Sequence, residues 1–69
     1  MDIKTMPTEE LQKDLKSIYS DLALCKSARD LGVSFYNGYS VEWNITTNER
    51  VIEIILAELA RRGEQAGEA

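Results

Sequence analysis

Phe35, Tyr36, Tyr39 and Trp43 hold four of the five aromatic side chains within nine positions. Faces crowded in this way can stack a nucleobase or a partner's side chain. They can equally plug the open end of a helical hairpin. The acids form rows: Glu10, Asp14 and Asp21 are spaced four and seven, and Glu42, Glu49 and Glu53 seven and four. Each trio falls on one helix face. Such rows can mimic a phosphate ladder, or simply keep a surface solvated. Glu49 and Glu53 also have the spacing of an acid/base pair, but no apolar surround separates their roles.

Other chemistry finds little support. The sequence contains no histidine and one cysteine, Cys25, so a Cys-His nucleophile and an internal disulfide are both excluded. No Gly-rich phosphate loop, metal-ligand cluster or nucleophile elbow is present. The sequence therefore predicts a protein that is not an enzyme and needs no metal or cofactor. Asn44-Ile45-Thr46 matches a glycosylation acceptor, which an intracellular chain would not use.

Elements must position these residues, and the apolar spacing supplies them. Leu11, Leu15, Ile18, Leu22 and Cys25 are separated by four, three, four and three, one stripe on a helix. Thr8 suits the N-cap and Gly32 the stop, so helix one is expected over 8–31. A second stripe runs Val41, Ile45, Asn48, Ile52, Ile55, Leu59, with Arg61 and Arg62 at the negative end and Gly63 beyond it. Residues 1–7 read as a flexible lead-in and 63–69 as a flexible tail. Cys25, on the first stripe, is expected to be a buried thiol with a packing role.

The stretch from Gly32 to Thr46 admits two architectures. Ser40 can cap a long second helix over 40–62, leaving 32–39 as an aromatic loop between two antiparallel helices. This all-α hairpin is favoured because Val41 and Ile45 fit the same seam as Ile52. Alternatively Asn37-Gly38 marks a β-hairpin over 33–43, giving α-β-β-α. With Tyr36-Asn37-Gly38 as a three-residue turn, Val33 faces Val41 and Phe35 faces Tyr39, and Trp43 shares their face.

A chain of 69 residues is one small domain, and one without disulfides or metal is expected to gain stability by oligomerising, as a symmetric bundle. Asn48, Ile52, Ile55 and Leu59 are then candidates for register and oligomer contacts. An ordinary bond from Asn48 to the 32–40 loop is the alternative. In the long helix Trp43 lies about 200° from Val41, on the side of Ile54, with Arg50 between. Tryptophan and arginine are enriched at binding hot spots, so Trp43, Arg50 and Ile54, with Tyr36 and Tyr39, are candidates for binding a partner or ligand. Trp43 packing beneath its own 32–40 loop is the alternative. Eight basic against twelve acidic residues give a net charge of −4, which argues against nucleic acid and anionic membrane as partners. The longest apolar run, 51–60, is broken by Glu53 and Glu58, and Met1 to Pro7 does not resemble a secretory signal.

Two resemblances add to this reading. Asn37-Gly38-Tyr39-Ser40-Val41-Glu42-Trp43 followed by a capped helix is similar to the gpW-type head-completion proteins of tailed phages. Thr8-Glu9-Glu10-Leu11, Asp21-Leu22-Ala23-Leu24-Cys25, Gly32-Val33, Tyr36, Gly38, Ser40-Val41, Asn48 and Ala57-Glu58-Leu59-Ala60-Arg61-Arg62 resemble short proteins of enterobacterial phages and prophages. That second likeness spans most of the chain. Its members usually carry a charged residue where Trp43 stands, which reads as helix rather than strand. The resemblance implies a phage origin and an all-helical hairpin, and it implies no activity. The expected function is a phage-encoded interaction protein in the host bacterial cytoplasm that binds and inhibits a host factor, such as one of an anti-phage defence system. The alternatives are a head-completion-like virion module and a small-ligand binder that sequesters a nucleotide, with Arg50 or Lys26 at its phosphate.

Overall fold

The structure, a computed structural model, describes residues 2–64. A short 3-10 helix, Ile3–Thr5, leads into α1, Thr8–Asp30. Two short strands follow, β1 (Phe35–Tyr36) and β2 (Tyr39–Ser40), and then α2, Val41–Arg61. The molecule is mostly helical, and its two long helices are joined by an antiparallel β-hairpin.

The all-helical expectation is therefore corrected: the order is α-β-β-α. The two architectures prove compatible because the hairpin is so short. Asn37 and Gly38 both have positive φ, 53° and 82°, the backbone of a two-residue turn whose twist matches paired strands. Such a turn sets Phe35 opposite Ser40 and Tyr36 opposite Tyr39. The three-residue turn that would set Val33 against Val41 and Phe35 against Tyr39 does not form. β2 ends at Ser40, whose hydroxyl accepts from the Trp43 N–H at 3.0 Å and so caps α2. Trp43 is thus a first-turn helical residue.

The helix bounds agree with the apolar spacing to within one residue, and their ends have local causes. Pro7 rather than Thr8 occupies the first cap, without a side-chain bond. At the far end Gly32, at φ 83°, donates to Arg29 O, and Val33 donates to Ala28 O. This paired closure recurs after α2, from Gly63 to Ala60 O and from Glu64 to Leu59 O. Of the expected flexible tail, 65–69 lies outside the described residues.

The two stripes meet in one core. Leu11, Leu15, Leu22 and Cys25 of α1 pack with Val41, Ile45, Ile52, Ile55 and Leu59 of α2. Cross-helix partners show the antiparallel sense: Arg29 faces Glu42, Lys26 faces Glu49, and Thr8 meets Arg62. The oligomer candidates Ile52, Ile55 and Leu59 are buried within this single chain. Their burial needs no second copy.

The lead-in is not a loose segment. The Asp2 side chain accepts from the Lys4 N–H, and Ile3 and Met6 pack against the core. Met6 and Leu11 occupy the two positions of a hydrophobic staple around the Pro7 cap. A buried carboxylate completes the anchor. Glu58 accepts from Nε and Nη2 of Arg61, at 2.9 and 2.6 Å, and from Nε of Arg62 at 2.7 Å. Arg62 then reaches across to Thr8 Oγ1 and to the carbonyls of Ile3 and Lys4, each at 3.2 Å.

These charge-assisted bonds to Arg61 and Arg62 hold the Glu58 carboxyl down at about 2, against an ordinary 4.5, despite the opposing effect of burial. A depressed folded-state value means the contribution is complete above the unfolded value. It fades as pH falls from about 4.5 toward 2. Urea melts across that window should show stability falling with acid in the wild type. The Glu58→Gln variant should be less stable at neutral pH, with a flatter acid profile.

Candidate interaction surface

The exposed aromatic surface is built where the hairpin enters α2. Asn44 Nδ2 donates to Tyr36 O at 2.9 Å and to Ser40 O at 3.0 Å, clamping the hairpin to the first turns of the helix. Val41 N–H donates to Ser34 O at 2.9 Å and extends the same ladder. The clamp holds Tyr39 over Trp43, ring centroids 4.3 Å apart and planes 17° from parallel. Trp43 nevertheless stays 48% exposed and Tyr39 55%. Trp43 does pack on its own 32–40 stretch, through Tyr39, but about half of each ring stays open to solvent.

The four aromatics divide. Tyr36 packs against the core and closes the open end of the helix pair. Phe35, across from the cap residue, is 72% exposed. Tyr36 and Tyr39, paired across the hairpin, therefore serve different surfaces. The stretch is not one stacking platform.

Along α2, Ile54 lies about 20° around the helix from Trp43 at 100° per residue. It is 47% exposed. Arg50 lies between them, exposed and without an ion pair among the described residues. The structure thus places Trp43, Arg50 and Ile54 on the outer face of α2, with Tyr39 at its start and Tyr36 elsewhere.

Other candidates are engaged within the chain. Asn48 Nδ2 donates to Asp21 Oδ2 of α1 at 2.9 Å, rather than to the 32–40 loop. Lys26 lies 4.0 Å from Glu49 and Arg29 4.0 Å from Glu42, so two of the three acids in the α2 row face cations of α1. These pairs are largely exposed and contribute little to stability. Cys25 is completely buried, and burial first, then the charge of Asp21, push its thiol pKa up. A thiol held protonated is a poor nucleophile. Cys25→Ala should lower stability by roughly 1–2 kcal/mol, the scale of a small buried truncation. Thiol-reagent kinetics on the native wild type should show slow labelling that denaturant accelerates.

Two surface features escaped the sequence reading. A groove of about 250 Å³ opens between the helices over the N-terminal segment. Ile3, Met6, Ile18, Val51 and Ile55 line it, with Asp14 and Ser17 among its polar residues. The Met6 and Leu11 staple spacing was the available signal. The second feature is Leu24, 59% exposed on α1, and Leu31, 83% exposed at its C-cap. None of the described helices is long and apolar enough to cross a membrane. No family model, curated protein or solved structure matches this chain.

Proposed function

We propose that this chain is a non-enzymatic interaction protein whose contact surface runs from the Tyr39–Trp43 stack along the outer face of α2 to Ile54. One observation carries the reading. A stacked aromatic pair, fixed by a capped helix and the Asn44 clamp, remains about half open to solvent. A rigid, half-desolvated aromatic loses little freedom on binding, which makes it an efficient anchor. The likeness to short phage and prophage proteins supports a bacterial host factor as the target, in the host cytoplasm, with inhibition of a defence component as the outcome. The test is affinity capture from host lysate by the wild type and by a Trp43→Ala variant. A host protein held by the first and lost by the second is the expected result.

A second reading has an observation of its own. The α-β-β-α order is the one that the likeness to head-completion proteins calls for. On that reading the same surface docks into the phage particle. Mass spectrometry of purified virions separates the two: the chain is a stoichiometric component only if it completes the head.

A further inference from the structure

The seam of α2 that meets α1 runs through Val41, Ile45, Ile52, Ile55 and Leu59. A second row, Trp43, Thr47, Arg50, Ile54, Ala57 and Arg61, has the same alternation of four and three. That is the spacing of a coiled-coil seam. It faces away from α1, and all of its members except the half-buried Thr47 are exposed.

We propose that this row is the contact face of an antiparallel homodimer, α2 against α2 of a second copy, about a two-fold axis at position 52. The inference rests on reading this face as an association surface: a second copy occupies it in the free protein, and a host protein held through Trp43 competes with that copy. The row is symmetric about its middle. Pairing it with itself sets Trp43 opposite Arg61 of the second copy, Thr47 opposite Ala57 and Arg50 opposite Ile54, each layer occurring twice.

Each layer is chemically matched. An indole face accepts a guanidinium, and the small Thr47–Ala57 layer lets the backbones approach. The aliphatic stem of Arg50 covers Ile54 while its charged end reaches Glu53 of the second copy. Charge supplies the strongest argument. Lys26, Arg29, Arg61 and Arg62 each face a carboxylate within the chain; Arg50 and Glu53 have no ion pair among the described residues, as Lys4, Lys13 and Lys16 have none, but these two lie on α2 at or beside the row. The two-fold contact makes each the partner of the other, with four charges alternating in sign around the axis. Folding alone leaves the two charges unmatched, and self-association matches both. A chain this small, with neither disulfide nor metal-binding motif, is also one whose stability gains from a second copy.

Sedimentation equilibrium of the full chain over a range of concentrations tests the proposal. The wild type should be a dimer, and Trp43 emission should shift to longer wavelength on dilution. Arg50→Glu should weaken the dimer by more than about tenfold, because it sets glutamate against Glu53 of the second copy. Adding Glu53→Arg should restore it, since both copies then carry the exchanged pair. Both positions are exposed, so circular dichroism should show equal helicity in all three proteins. A wild type that stays monomeric overturns the proposal, even where a host protein is captured through Trp43. A dimer indifferent to Arg50→Glu, or one that the double variant does not restore, overturns the face and its register.

Discussion

Truncating Leu59 to alanine should cost about 2–5 kcal/mol, the range for a buried leucine whose cavity cannot fully collapse. Leu59 is 1% exposed, one helical turn beyond Ile55, near the end where Arg62 ties the N-terminal segment down. A domain of 69 residues has a total stability of only about 3–10 kcal/mol at the usual density per residue. The loss is therefore a large share of the whole, and the variant should be partly unfolded at room temperature. Ile54→Ala removes a similar volume three turns from Trp43, but from the exposed face. In melts dilute enough to hold the monomer it should cost no more than about 1 kcal/mol, since half of that side chain meets water in the single chain. Urea melts of the two variants read the difference. Equal losses would mean that the outer face is not outer.

Trp43→Ala separates folding from binding in the same way. A buried tryptophan would cost about 3–5 kcal/mol on truncation. Trp43 is half exposed and its one ring partner is Tyr39, so the loss in the melt should be about 1 kcal/mol, the scale of a stacked aromatic pair. Helicity should be unchanged, because the Ser40 cap engages the Trp43 backbone N–H and not the indole. Binding should suffer far more. A hot-spot anchor is worth at least about 2 kcal/mol, or roughly 30-fold in affinity. A fall in stability near the buried value would place the indole inside the fold.

Much of this fold is legible in the residue pattern, and the failures have definite causes. Leu11 to Cys25 and Val41 to Leu59 announce both helices and the core because a helical seam repeats regularly over many turns. The hairpin spans only six residues, too few for an alternation to compete with the Val41–Ile45–Ile52 seam. What settled it was local: left-handed φ at Asn37 and Gly38, which the Asn-Gly pair signals, and a Ser40 able to end a strand and cap a helix at once. The bonds that hold residues 3 and 4 come from far along the chain. Arg62 is more than fifty positions from Ile3, and nothing in the local composition of 1–7 reveals that bond.

The candidate surface was legible in part. Trp43, Arg50 and Ile54 share a face by spacing alone, whereas the stack of Tyr39 on Trp43 depends on the turn geometry. Asn44 carries only an acceptor motif in the sequence, yet its side chain holds the hairpin to the helix. Asn48 sits on a seam as a register residue would, and Asp21, one position before Leu22 on α1, meets it within the same chain.

The most direct test of the interaction surface is quantitative capture from host lysate, with wild-type and Trp43→Ala chains immobilised at equal density and the melt of each measured alongside. A defined host protein should be enriched on the wild type and fall by at least about 30-fold on the variant, at nearly equal stability. The same proteins at the same abundance on both chains would contradict it.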